Sequence, residues 1–267
     1  MNGVFIVNGI SSESMGVYLM EDSYASLLSY PPLKEPLQNS WAEEDGLEVD
    51  LSAPKLDVAI RKLHFISLSG RIDEFIATLL STTKSEFMFP DLGLNITLRY
   101  MDCESFELYS GAVFTLTFSQ DVPIDGYTYT SPYWLKVGSQ GVSIDGVDLS
   151  SYGIQVLENT LSNTRKAPAA KEVTLINSLS LHGQKVDETK LRRKAREVTL
   201  HLFLRCEYDY QFLTNYHAFL HDLILPKERD LGVDGRIYKC YYKRSEIRHF
   251  TLGNGVWCEF DVVFCLT

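Results

Sequence analysis

A fifteen-residue stretch, Val7 to Glu21 (VNGISSESMGVYLME), is written a second time as Ile144 to Glu158 (IDGVDLSSYGIQVLE), with no gap. At the shared shift of 137, Gly9 falls on Gly146, Ser14 on Ser151, Gly16 on Gly153 and Glu21 on Glu158. The same shift pairs Pro31 with Pro168, Lys34–Glu35 with Lys171–Glu172, Gly46 with Gly183, and Val49–Asp50 with Val186–Asp187. It still holds at Leu63–His64 against Leu200–His201 and at Phe75 against Phe212. Thirteen identities between positions 9 and 75 stand where chance gives about 4, so one unit has been used twice. A chain of 267 residues is long for one core and natural for two.

Composition then narrows the class. At 45% hydrophobic and 22% charged residues the chain is of ordinary globular make-up. No apolar run approaches the roughly 18 residues that cross a bilayer, so no membrane insertion is expected. The opening MNGVFIVNGI lacks a basic flank and a long apolar block, and reads as a first strand instead of a secretion signal. Cys103, Cys206, Cys240, Cys258 and Cys265 are odd in number, show no CxxC spacing and do not recur between the halves. Reduced packing cysteines are therefore expected, with assembly in a reducing cytoplasm. Charge is uneven: residues 1–130 carry 7 basic and 19 acidic side chains, residues 131–267 carry 18 and 16. So acidic a first half argues against a phosphate-binding surface there.

The pattern along each half is mostly β. Val4–Val7 and Val17–Met20 are short apolar runs, and Pro31–Pro32 exclude helix or central strand. In Ser40–Pro54, Asp45–Gly46 signals a turn before alternating Leu47, Val49 and Leu51, which predicts a hairpin. Leu63–Leu68 follows as a strand. Ile72–Leu80 sets Ile72, Phe75, Ile76, Leu79 and Leu80 at helical spacing. Leu92–Tyr100 alternates strictly, and Phe114, Leu116 and Phe118 alternate in a closing strand. Residues 119–140 have no counterpart, and their Tyr127, Tyr129, Tyr133 and Trp134 predict a linker packed on a domain.

The second half repeats the plan. Val142–Val147 and Ile154–Leu157 open it, and His182–Gly183 replaces the Asp45–Gly46 turn. Val198, Leu200, Leu202 and Leu204 alternate, and Tyr208–Leu223 is a longer version of the first helix. Ile237–Tyr242 and Val256–Phe264 close the sheet, with a basic, loop-like segment expected around Lys243–His249. The fold class is mainly β (α+β): two tandem sandwich or barrel units, 1–118 and 141–267, each with one flanking helix.

Candidate chemistry is thin. His217 and His221 stand one helical turn apart, a spacing that binds metal, but no HExxH glutamate accompanies them and the first unit's helix has no histidine. A surface or packing role is expected. His64 and His201 share one strand position, which points to an inherited packing or hydrogen-bonding position instead of catalysis. No GxSxG, P-loop or dinucleotide fingerprint is present, and Glu43–Glu44–Asp45 falls in a turn. The basic run Lys190–Arg196 (KLRRKAR), flanked by Asp187, Glu188 and Glu197, is expected to be a solvated or partner-facing loop. No catalytic, cofactor-binding or metal residues are assigned.

The order NG-I, S, MGVYLMED, then NSWAEEDGLEVDL, an alternating strand, a helix, a proline and a closing strand resembles phage and prophage tail proteins of the distal-tail, tail-tube and baseplate-hub group. The resemblance is in particular to Bacteroidales-phage-like versions. Asn39–Leu51 carries the closest likeness, and CYYKRSEIRHFTLGNGVWCEFDVVF resembles that family's last hairpin. A usual distal-tail protein has one tube-type domain followed by a sugar-binding-like domain, whereas this chain has two related units, and baseplate hubs are also built from paired tube-type domains. The resemblance implies a structural, non-enzymatic virion protein without cofactor, whose copies close a ring connecting tail tube to tip proteins. DNA would pass through without specific binding. A trimer with pseudo-sixfold symmetry is favoured over a hexamer. The competing reading is a carbohydrate-binding or adhesin-type module in which Trp41, Tyr133 and Trp134 stack on sugar rings.

Overall fold

Alternating side chains become long antiparallel strands, and the repeat in sequence becomes a repeat in topology. The computed structural model describes residues 3–68, 71–108, 111–124, 127–173, 175–176, 182–183, 185–186 and 191–267. Asp187, Glu188, Lys190 and residues 125–126 of the expected linker lie outside the described residues.

The first unit runs β1 (Ile6–Val7), β2 (Ile10–Ser11), β3 (Val17–Leu19), α1 (Ser23–Leu28), β4 (Gln38–Asn39) and β5 (Glu48–Val49). It continues with β6 (Ala59–Ser67), α2 (Ile72–Leu80), β7 (Ser85–Phe89), β8 (Leu94–Leu108) and β9 (Ala112–Gln120). The second unit runs β10 (Val142–Ile144), β11 (Val147–Asp148), β12 (Ile154–Val156), α3 (Thr160–Arg165), β13 (Leu175–Ile176) and β14 (Lys185–Val186). It ends with β15 (Arg196–Cys206), α4 (Asp209–Leu223), β16 (Arg229–Val233), β17 (Arg236–Gly253) and β18 (Gly255–Leu266).

Seven strands form one sheet in the order β2-β1-β7-β8-β9-β6-β3, and seven form the other in the order β11-β10-β16-β17-β18-β15-β12. The two orders correspond strand for strand. Each sheet curls until its edges approach. In the first unit Gly3 closes the gap, its N–H donating to Leu19 O at 2.8 Å and its carbonyl accepting from Leu19 N at 2.9 Å. In the second, Gln140 stands at the position of Gly3 and does the same with its side chain. Its amide donates to Val156 O at 3.2 Å and accepts from Val156 N at 2.5 Å. A primary amide has the donor and acceptor of a peptide group, so it completes the edge as backbone would.

Core-facing residues follow the expected alternation. Leu63 and Phe65 in β6, and Val198, Leu200, Leu202 and Leu204 in β15, are fully buried. Both longer helices begin at matched positions, Ile72 and Asp209, and each drops a buried phenylalanine, Phe75 and Phe212, onto its sheet. The hairpins β4–β5 and β13–β14 match as well: Gln38 opposes Val49, and Leu175 opposes Val186.

Several expectations are corrected. Each unit carries a second, short helix, α1 and α3, at matched positions 23–28 and 160–165. The cause is a repeated hydroxyl clamp. Ser23 Oγ accepts from His64 N at 2.8 Å and donates to His64 O at 3.0 Å, and Thr160 Oγ1 does the same with His201 at 2.9 and 3.2 Å. The segment around Lys243–His249 is strand, not loop: β17 runs through it with register shifts at Tyr242/Arg244 and Ile247/His249. Cross-strand charge pairs hold it there, Lys243 and Arg244 on Glu197 and Arg248 on Asp261. Leu92 sits in a one-turn helix, Pro90–Leu92, ahead of β8, which extends to Leu108. No described helix is long and apolar enough to cross a membrane.

Candidate functional site

The most developed feature is the seam between the two units, built by the segment that follows the first strands of unit one. Helix α1 ends at Leu28 because Pro31 and Pro32 follow, and Ser29 is already extended at φ −53°, ψ 135°. The chain then runs along β17 of the second unit. Tyr30 is buried, stacked on Tyr216 with ring centroids 4.0 Å apart, edge-on to Phe260 at 6.1 Å, and its hydroxyl donates to Tyr216 O at 2.5 Å. Tyr24 packs on Phe250 at 5.6 Å. Tyr242 donates its hydroxyl to Pro31 O at 2.7 Å, Ile247 N donates to Ser29 Oγ at 3.1 Å, and Leu33 N donates to Lys243 O at 2.8 Å. Buried side chains of both units consequently form one continuous apolar cluster.

Arg61 sits at this seam, buried and hydrogen-bonded to carbonyl oxygens. Its guanidinium donates to Ser26 O at 2.6 Å, Ser29 O at 2.7 Å and Gln120 Oε1 at 2.8 and 3.1 Å. Those carbonyls lie at the C-terminal end of α1, where a cation is favoured. Burial pulls the guanidinium down to about 10, still far above neutrality. The hairpin arm of unit one covers the outer face: Leu51 packs with Tyr241 and Cys265, and Lys227 N donates to Leu51 O at 2.8 Å. Gly46, at φ +72°, comes so close that a Cβ there would lie 2.5 Å from the Thr267 carbonyl carbon.

Arg193 of the basic run reaches the same seam. Arg193 N donates to Asp45 Oδ1 at 2.7 Å, and Gly46 N donates to Arg193 O at 2.8 Å. Lys194 lies 3.6 Å from Glu172, and Arg196 donates to the α3 carbonyls of Asn163 at 2.9 Å and Thr164 at 2.5 Å. The Arg193 backbone thus bonds the first half of the chain, whereas Lys194 and Arg196 pair within the second.

The matched histidines each hydrogen-bond the side chain directly across the sheet. His64 Nδ1 lies 2.9 Å from Thr115 Oγ1, and His201 Nδ1 lies 2.7 Å from Asp261 Oδ1. Arg248 Nε takes the other Asp261 oxygen at 2.7 Å, and Asn163 Nδ2 lies 3.3 Å from His201 Nε2. An open depression of about 330 Å³ lies beside this group. Both ring nitrogens of His201 already have protein partners, and Asp261 is shared between two cations or donors. The arrangement orders the sheet and leaves no ring nitrogen aimed into the depression.

His217 and His221 lie beneath the linker. Tyr127 packs on both rings at 5.6 and 6.4 Å, and Tyr129 on His221 at 4.6 Å. Burial holds His217 at about 4, and among the described residues no group of three metal-ligating side chains occurs. Tyr133 is fixed on α4 by Asn215, which accepts from Tyr133 N at 2.7 Å and donates to Tyr133 O at 2.9 Å. Trp134 is 82% exposed, whereas Trp41 donates to Glu48 Oε2 at 2.7 Å on the hairpin of the other unit. No ring contact joins Trp41 to Tyr133 or Trp134 among the described residues. Cys206, Cys240, Cys258 and Cys265 are buried free thiols and Cys103 is an exposed one.

No family model matches the chain, and no curated protein sequence matches it. Among solved structures it is similar to SPP1 Dit (gp 19.1), described as a paradigm of the hub adsorption apparatus in phages infecting Gram-positive hosts. That likeness has a TM-score of 0.37 and 11% identity, over 98% of this chain and 97% of that one.

Proposed function

We propose that this protein is a structural component of a phage or prophage tail, of the distal-tail or baseplate-hub kind, with no catalytic activity and no cofactor. Its units are residues 1–118 and 141–267, joined by 119–140, and they are a product of duplication. Copies close a ring around the DNA channel and connect the tail tube to tip proteins. Three copies are favoured, because two related units per chain then supply six positions around the axis. Assembly takes place in the host bacterial cytoplasm, and the finished ring resides in the virion tail.

The observation that carries this reading is the seam. Two units of one topology lie side by side through a continuous apolar core, a construction suited to stacking further units laterally. The sequence likeness carried by Asn39–Leu51 and the last hairpin gives that construction its setting. Charge supports it too. Residues 1–130, of net −12, and residues 131–267, of net +2, alternate in a ring of whole chains, which avoids setting two strongly acidic parts together. An acidic channel wall repels DNA phosphates and lets the genome slide.

Reconstruction of the virion tests the proposal. Density for this chain as a ring on the tail axis is the expected result. An isolated surface decoration away from the axis overturns it.

A further inference from the structure

We infer that one chain docks on the next through a copy of its own internal seam, with α3 of one copy covering the outer half of β8 of its neighbour. This inference rests on the ring reading and specifies its contact surfaces.

Within the chain, the seam has a donor and an acceptor. The donor is Tyr24–Pro31 of unit one, and the acceptor is the Tyr242–Phe250 part of β17 in unit two. Because the units match element for element, each surface has a counterpart in the other unit. Shifting the donor by 137 gives Leu161–Pro168 of unit two. The acceptor's counterpart follows from strand pairing. Phe250 opposes Cys258 and Ile247 opposes Phe260 in β17–β18, while Leu108 opposes Ala112 and Phe106 opposes Phe114 in β8–β9. Leu108 therefore stands for Phe250 and Phe106 for Ile247.

Both counterparts are bare. Phe250 and Ile247 are 6% and 5% exposed, but Leu108 and Phe106 are 74% and 49% exposed. On the donor side Tyr24 is 5% exposed and its counterpart Leu161 is 37% exposed. Around them the donor segment is mainly buried from Tyr24 to Pro31, and its counterpart mainly exposed from Leu161 to Pro168. One chain thus ends with one uncovered donor and one uncovered acceptor of the same geometry. Two such surfaces on different faces of one molecule make a heterologous contact, which closes into a ring or runs on as a filament.

Charge selects a second copy as the occupant. The uncovered part of β8 carries Asp102, Glu104 and Glu107, all exposed, and the uncovered donor carries exposed Arg165 and Lys166. Glu104 is also bonded to Lys62, and Arg165 to Asp234, so both contacts would be shared. The outer-arm contact changes character. Tyr241 and Cys265 correspond to Arg99 and Ser119, which replaces an apolar patch with a polar one. The contact between copies is consequently smaller in its apolar part than the internal seam, as suits subunits that meet after folding.

Site-directed cross-linking tests this on the full chain. Leu108→Cys and Leu161→Cys are combined in a Cys103→Ser background, leaving the four buried thiols in place. A short bifunctional methanethiosulfonate is expected to give a covalent ladder that stops at the ring's copy number. A control pair, Met88→Cys with Leu161→Cys, should give none. Separately, Leu108→Asp should weaken association about 100-fold in native mass spectrometry, with the far-ultraviolet spectrum unchanged. Oligomers without a Leu108–Leu161 ladder, or a Leu108→Asp variant that assembles like the parent, overturn this interface and leave the ring reading standing. A chain that is monomeric and uncross-linked at high concentration overturns the interface as well. The tail reading is then decided by the chain's place in the virion.

Discussion

At the residue scale, the two units reach the same result with different atoms. Gly3 closes its sheet with backbone, Gln140 with a side-chain amide, and both bond position 19 or its counterpart Val156. Arg61 and Arg196 each bond the terminal carbonyls of a short helix, from strand positions two residues apart once the units are matched. Arg61→Ala leaves those carbonyls and Gln120 unpaired in the interior. It should cost about 3 kcal/mol in urea unfolding, with Arg61→Lys recovering less than half because an ammonium lacks the planar fork. His217 gives a pH signature. Its folded value of about 4 lies below the ordinary 6.5, so the unfolded chain takes up the proton first. Its contribution is complete above 6.5 and is lost as pH falls toward 4. Between pH 7 and pH 5 the parent should lose about 2 kcal/mol more than His217→Phe in urea midpoints taken at both values.

At the element scale, strand and helix limits are fixed by what each segment touches. The short helices α1 and α3 hold only six residues each, below the length at which a helix is stable alone. Their hydroxyl clamps on β6 and β15 replace propensity as the organising contact. Ser23→Ala and Thr160→Val each strand a buried strand amide, and each should lower stability by about 2 kcal/mol. Loss of amide-exchange protection at His64 or His201, respectively, would locate the damage; unchanged protection would show that the clamp is dispensable. The same reasoning explains β17. Its run of Lys243, Arg244, Glu246 and Arg248 looks like loop by composition, yet opposite charges on β15 and β18 hold it in the sheet.

At the scale of the whole molecule, two sheets of one topology share a continuous apolar cluster. Because the apolar cluster crosses the seam, heating should unfold the parent in a single calorimetric transition. Removing both seam rings, Tyr24→Ala with Tyr30→Ala, deletes stacking on Phe250, Tyr216 and Phe260. Each deletion should cost about 3 kcal/mol or more, and the pair should split the transition into two as the units uncouple. A single transition in that variant would mean that the hairpin arm alone couples the units.

The sequence by itself determined the repeat of one pattern, the β-rich class, the paired long helices, both hairpins and the shared histidine position. Each of these is written in local periodicity or in residues repeated at one constant shift, and local patterns survive without knowledge of neighbours. Strands β7 and β16 were not legible, because RDLGV and SEFMF are too short for their alternation to stand out. The two short helices had a signal in Ser23 and Thr160, matched hydroxyls that a reading by hydrophobic period passes over. Only the tertiary structure decided that Arg193 of the basic run bonds Asp45 and Gly46 in the other half of the chain, and that Arg61 is buried near Tyr216 and Tyr242. It alone separated Phe250 from Leu108, two apolar residues at one strand position. The first is covered by α1 and the second is open, and coverage depends on which surfaces meet once the units have folded.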